Sequence, residues 1–207
     1  YVLPEPGALT VNRSLRGENP IAIRASREIG SSIFGTCAHF PWSWKHEAVM
    51  PMIEETGFKW IRADVGWAAV EKTKGTFAIP DEHRAWIDDA HRRGINLCLP
   101  LVYINWKYPP KDYEAFRDGY ARYCAFMVDA LRDEVQVWEI WNEPSLFFRQ
   151  RTPYGGSWNA REGADTPWLD KYVDMLITAV RAMRKVNPEA TITAGDITIP
   201  AIYHMLD

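Results

Sequence analysis

Val135-Gln136-Val137-Trp138-Glu139-Ile140-Trp141-Asn142-Glu143-Pro144 is an apolar run that stops on Asn-Glu-Pro. Its valines, isoleucine and tryptophans are β-branched or aromatic, the residue types a buried parallel strand uses. Pro144 has no amide hydrogen to give a neighbouring strand, so the ladder ends directly after the carboxylate. Placing a charged side chain at the end of a buried strand costs free energy unless that charge is used. Strand C-termini are where α/β folds hold their reacting groups. The alternative for Glu143 is a helix-capping or ion-paired surface carboxylate.

The pattern around this stretch repeats. Ser32–Cys37 reads as a first strand, ending in Ala38-His39-Phe40-Pro41, and a helix follows from about His46 to Glu55, closed by Gly57. Phe58–Ala63 is the second strand, with its helix near Asp81–Arg93 stopped by Gly94. Asn96–Tyr103 is the third strand and Asp112–Arg132 its long amphipathic helix. The decapeptide is the fourth strand, and Pro167–Val186 is the helix that returns the chain. Thr191–Ala194 reads as a fifth strand, and a sixth helical segment is expected near Ile199.

Strands alternating with helices of this length mean βα units and a parallel sheet. Loops after strands are long and rich in Trp, Pro and Tyr, whereas loops after helices are short. The functional face is therefore expected at the strand C-termini. A doubly wound sheet should carry a Gly-rich turn after its first strand, and Gly35-Thr36-Cys37-Ala38-His39-Phe40 has none. The fold class expected is α/β, a (β/α)8 TIM barrel of which about five βα units are present, since closure takes eight in roughly 250 residues. Residues 31–207 are this partial barrel. Residues 1–30, Pro- and Gly-rich with β-like runs at Leu9–Val11 and Ile21–Arg24, read as an N-terminal extension or the edge of an accessory β-domain.

Composition excludes several function classes. The 207 residues are 47% hydrophobic and 25% charged with net charge −3, so one sizeable core is available and no basic block invites nucleic acid. No apolar run approaches the roughly 18 residues of a membrane span. Cys37, Cys98 and Cys124 have neither disulfide nor metal-ligand spacing and are expected to pack as small apolar groups. The reading needs no cofactor and no metal. The sequence starts at Tyr1 without initiator Met or signal pattern and is expected to begin inside a longer precursor or to be a trimmed form. The compartment stays open, a secreted or periplasmic location being favoured over the cytoplasm.

The decapeptide also resembles the fourth-strand signature Trp-Asn-Glu-Pro of the (β/α)8 clan of retaining glycosidases, here Trp141-Asn142-Glu143-Pro144. In that clan the Glu is general acid/base and the preceding Asn holds the sugar 2-hydroxyl, roles that fall on Glu143 and Asn142. The resemblance extends to two further segments. Arg62, ending the second strand in Lys59-Trp60-Ile61-Arg62-Ala63-Asp64, matches an arginine that keeps the nucleophile carboxylate ionised. Trp67 with Val70-Glu71-Lys72 and Gly75-Thr76-Phe77 matches the clan's second loop, where Trp67 either lines the site or packs beneath it. The run Phe34–Phe40 is similar to the first strand of the family holding β-xylosidases, α-L-iduronidases and bacterial exopolysaccharide hydrolases, in which the His touches the sugar; here that is His39.

The resemblance implies a retaining O-glycoside hydrolase acting on an oligo- or polysaccharide. Tyr103, Asn105, Trp106 and Trp158 are candidate subsite walls, because sugar rings bury their C–H faces on flat aromatics. Side chains alternate along a strand, so Glu139, Trp141 and Glu143 are expected to share one face, which sets Glu139 about 13 Å deeper, as a buried partner for an arginine such as Arg62. Asp64 is the other expected partner of Arg62. His46, His83, His91 and His204 are expected to be solvated.

Retention requires a second carboxylate about 5–5.5 Å from the first. The clan supplies it from a seventh strand that this sequence lacks, and Asp196 is the one in-chain candidate. The nucleophile is thus expected outside the 207 residues, in a further segment or a second chain that completes the barrel. Two competing readings are a non-catalytic carbohydrate-binding remnant and a fragment too incomplete to fold alone, since an open half-barrel exposes two strand edges.

Overall fold

The computed structural model describes residues 24–41, 43–156 and 165–195, which form two compact units. Leu9–Val11, residues 21–23, Trp158, Asp196 and the segment near Ile199 lie outside the described residues.

The first unit runs to Ala63 and takes in Asp81–Leu97. Its strands β1 (Gly35–Cys37) and β2 (Trp60–Arg62) are parallel, with Gly35 opposite Trp60 and Cys37 opposite Arg62. Gly35 is required there, because a Cβ would lie 2.5 Å from the Trp60 carbonyl oxygen. Helix α1 (His46–Glu55) buries Met50, Ile53 and Glu54. Helix α3 (Asp81–Arg92) buries His83, Trp86, Ile87 and Ala90, one stripe at helical spacing, with acidic residues in its first turn and basic ones in its last. Arg93 ties the two helices: its guanidinium donates to Glu54 at 2.6 Å and to Asp89 at 3.0 Å. A 3-10 turn at Ser26–Glu28 packs on α1, the buried Ser26 hydroxyl donating to the carbonyls of Glu54 and Phe58. Strand β4 (Asn96–Val102) begins here, the Asn96 amide donating to the Lys59 carbonyl at 2.8 Å.

The second unit holds Asp64–Pro80 and everything from Cys98 onward. Its strands lie in sequence order and all parallel: β3 (Val65–Gly66), the rest of β4, β5 (Val137–Ile140) and β6 (Ile192–Ala194). A doubly wound sheet would reverse direction at a switch point; this run does not. Helices α4 (Tyr113–Ala130) and α6 (Pro167–Val186) pack against each other. The short helices α2 (Trp67–Val70) and α5 (Pro144–Gln150) follow β3 and β5 directly.

Three tyrosines from the long helices fasten the strand ends that carry the functional loops. Tyr123 donates to the Val65 carbonyl at 2.5 Å, Tyr120 to Leu101 at 2.6 Å and Tyr172 to Ile140 at 3.1 Å. Each is fully buried, and burial pushes each phenol upward in pKa, so all three stay neutral donors. The Tyr172 hydroxyl also accepts from the Gly195 amide at 3.1 Å.

Two sequence expectations on burial need correction. Cys37 is exposed, on the same exposed face of β1 as Gly35, and Cys98 is half-buried; Cys124 alone is fully buried. His83 is not solvated but has no exposed surface: it sits on the core stripe of α3, its Nδ1 accepting from Trp86 Nε1 at 3.2 Å. Among the described residues no helix is long and apolar enough to cross a membrane.

Candidate active site

Ile140 is the last residue of β5, and the backbone then leaves the strand. Trp141 and Glu143 both take left-handed conformations, with φ of 68° and 48°. Each costs free energy for a side-chain-bearing residue and persists only where the surroundings impose it. Alternation therefore stops at Ile140, and Glu143 is the residue that opens α5, with Pro144 at the first helical position. The expectation that Glu139, Trp141 and Glu143 line one face is corrected by this turn. Glu139 remains buried mid-strand, opposite Pro100 on one side and Thr193 on the other.

Trp141 forms the floor under the turn. It has no exposed surface and packs among Phe116, Tyr120, Phe147 and Phe148, with the Phe147 ring centroid 4.7 Å away. Above this floor the Glu143 carboxylate is exposed. Its side chain makes no capping bond to α5, and among the described residues it forms no ion pair. Glu143 is thus neither a helix-capping nor an ion-paired carboxylate.

Glu143 faces a groove of about 440 Å³ lined by Tyr103, Ile104, Trp106, Asn142, Leu146, Phe147 and Arg151. That volume falls within the roughly 300–1,000 Å³ range of small-molecule sites. Asn142 Nδ2 donates to the Tyr103 hydroxyl at 3.1 Å, which orients both side chains toward the same space. Trp106 is 73% exposed and Tyr103 47%, unusual for such large rings. Among the described residues no carboxylate other than Glu143 lines the groove. No cluster of three His, Cys, Asp or Glu there is arranged to hold a metal.

Other sequence candidates fall elsewhere. His39 lies two residues past β1, exposed, with its ring 6.0 Å from that of Trp44 in an edge arrangement. Arg62 closes β2, half-buried rather than buried, and its carbonyl accepts from the Ala38 amide at 2.9 Å. Both belong to the first unit, at the C-terminal ends of their strands. Trp158 is outside the described residues.

Trp67 is corrected as a substrate contact. Of its two expected places it takes the one beneath: its indole has no exposed surface, stacks on Tyr108 at 5.1 Å and donates to Glu71 Oε2 at 2.6 Å. Asn105 is likewise no wall, since it is 1% exposed and its Nδ2 donates to the Glu71 carbonyl at 3.1 Å. Sequence reading passed over Phe147, Leu146 and Arg151, which line the groove from α5 and its C-terminus. Pro144 followed, after Ser145, by the apolar run Leu146-Phe147-Phe148 and the basic Arg149 was the available signal for that helix.

No family model matches this sequence, and no curated protein sequence does either. Solved structures do. A family 39 glycoside hydrolase from the gut symbiont Bacteroides cellulosilyticus WH2 superposes with a TM-score of 0.60 at 25% identity, over 77% of this chain and 30% of that one. A family 1 β-glucosidase from Thermotoga maritima gives 0.56 at 18% identity, over 75% and 36%. The fold is thus that of the clan's glycosidase barrels, and the chain spans about a third of the length of these neighbours. What is present is part of a TIM barrel.

Proposed function

We propose that these residues belong to a retaining O-glycoside hydrolase acting on an oligo- or polysaccharide, with Glu143 as general acid/base. The observation that carries this is an exposed, unpaired carboxylate at the C-terminal end of β5, set in a groove walled by Tyr103 and Trp106, on a fold shared with glycosidases. A protonated Glu143 gives its proton to the glycosidic oxygen as the bond to the anomeric carbon breaks. The resulting carboxylate then deprotonates the water that releases the sugar from the nucleophile. Asn142, beside the acid, is suited to hold the sugar 2-hydroxyl, while Trp106 and Tyr103 offer faces for ring stacking. His39 and Arg62 are assigned as further substrate-side residues by their places at strand ends. Trp158 is assigned as a subsite wall from its place in the loop after the acid/base.

The nucleophile is proposed to come from outside the 207 residues, through further sequence or a second chain completing the barrel. Residues 1–30 are assigned to an extension or accessory β-domain. No cofactor enters the chemistry. In the intact protein Glu143→Gln is expected to lower kcat on an unactivated oligosaccharide by about 10²–10⁴. An undiminished rate would remove Glu143 from the mechanism.

A second reading, a carbohydrate-binding remnant, draws on the absence of another carboxylate among the described groove residues. Calorimetric titration of the intact protein with oligosaccharides separates the two: saturable heat without turnover favours the remnant, and turnover the hydrolase.

A further inference from the structure

The aromatic wall of the groove stands on a segment with no ladder of its own. Residues 103–112 follow β4 without regular structure, yet carry Tyr103, Ile104 and Trp106 into the groove. Two side chains that straddle Trp106 anchor the segment, and both end on Glu71. Asn105 donates from Nδ2 to the Glu71 carbonyl at 3.1 Å, and the Tyr108 hydroxyl donates to Glu71 Oε1 at 2.6 Å. The segment also closes on itself, the Tyr108 amide donating to the Asn105 carbonyl at 2.8 Å.

Glu71 has no exposed surface. Its carboxylate accepts from Trp67 Nε1, the Gly75 amide and the Tyr108 hydroxyl, each at 2.6 Å. A buried carboxylate without hydrogen bonds would be strongly destabilising, and these three donors offset that desolvation. The arrangement is built for an acceptor on every side. The Tyr108 ring has its own seat, stacked on Trp67 and laid over Gly119, where a Cβ would come within 2.8 Å of the ring.

We infer that Glu71 is a positioning residue: by clamping Asn105 and Tyr108 from the neighbouring loop, it fixes the Tyr103–Trp106 wall against which substrate packs. The inference rests on the proposed reading of the groove as the sugar site. Glu71 itself touches no substrate, being sealed beneath the wall. Glu71→Ala removes the carboxylate that accepts from the Tyr108 hydroxyl and leaves the Asn105 bond, which ends on the main-chain carbonyl, in place. Tyr108→Phe removes that one donor and keeps the ring stack, and serves where Glu71→Ala fails to fold.

The test is hydrogen–deuterium exchange of the full-length protein, paired with kinetics on 4-nitrophenyl β-D-glucopyranoside and β-D-xylopyranoside. In either variant, amide exchange over residues 103–108 is expected to rise at least about tenfold while β4 and α4 keep their protection. KM is expected to rise about tenfold with kcat changing less than about threefold, and the effect should largely vanish in a Trp106→Ala background. Unchanged exchange at 103–108 overturns the inference whether or not either glycoside is turned over. Full additivity with Trp106→Ala also overturns it, because a residue that merely supports stability would not couple to the wall. If Trp106→Ala alone leaves KM unchanged on a substrate that is turned over, the groove reading fails instead, and the exchange result still stands on its own.

Discussion

At the residue scale, three consecutive side chains in the site have different fates. Trp141 is buried to form a floor, Asn142 is half-buried and bonded to Tyr103, and Glu143 is exposed above them. The two left-handed residues produce this order, because a continued strand would have set Trp141 and Glu143 on one face. Trp141→Ala is expected to destabilise the protein by about 3–5 kcal/mol, the cost of an emptied aromatic core site, read from denaturant unfolding. Loss below about 1 kcal/mol would mean the ring is not the floor described. Asn-Glu-Pro was legible in the sequence as the break after the strand, but the ladder stops at Ile140, and Pro144 takes the first position of α5 instead of ending β5. The turn was not legible, since nothing in Trp141 or Glu143 favours positive φ; tertiary packing imposes it. For Trp67 the sequence left two places open, and the buried acceptor on Glu71 decides between them.

Elements were read more faithfully than side chains. Helix α6 spans the residues expected from Pro167 to Val186, because a proline start and a long amphipathic stripe both mark it. The strands were drawn too long: β1 starts at Gly35 and not at Ser32, though it ends at Cys37 as expected, while β2 (Trp60–Arg62) and β5 (Val137–Ile140) are shorter at both ends than Phe58–Ala63 and the decapeptide. Helices α2 and α5 escaped notice because four and seven residues are too short to show a 3.6-residue period. The tyrosine fastenings explain how long helices hold strand ends in place. Tyr172→Phe leaves the Ile140 carbonyl and the Gly195 amide each without this partner and is expected to cost about 1–3 kcal/mol in thermal unfolding.

Helix α3 contributes a pH dependence. Burial lowers the pKa of His83 below its ordinary 6.5, so the unfolded chain binds the proton more readily than the folded one. Stability is therefore full above pH 6.5 and is lost as pH falls toward the lowered folded value. His83→Gln should flatten the dependence of the unfolding midpoint on pH below 6.5 relative to wild type. An unchanged slope there would contradict a buried neutral imidazole.

At the scale of the whole molecule, the chain is part of a barrel whose neighbours are two to three times longer, as coverage of 30% and 36% of their lengths implies. In the first unit Ile33 and Phe34 are 91% and 69% exposed beside β1. Residues 1–207 alone are accordingly expected to show no turnover of aryl glycosides, measured against the full-length protein under the same conditions. The most direct test of the central claim, that Glu143 is the acid that protonates the departing oxygen, is leaving-group dependence in full-length Glu143→Gln. A leaving group that departs as a stable anion needs little protonation, whereas an alkyl alcohol or sugar needs it fully. Glycosylation of the enzyme by a 2,4-dinitrophenyl glycoside, followed as the pre-steady-state release of the phenolate, is expected to be slowed by less than about tenfold. Hydrolysis of the matching oligosaccharide should be slowed by about 10²–10⁴. Equal slowing of the two substrates would contradict a general-acid role for Glu143.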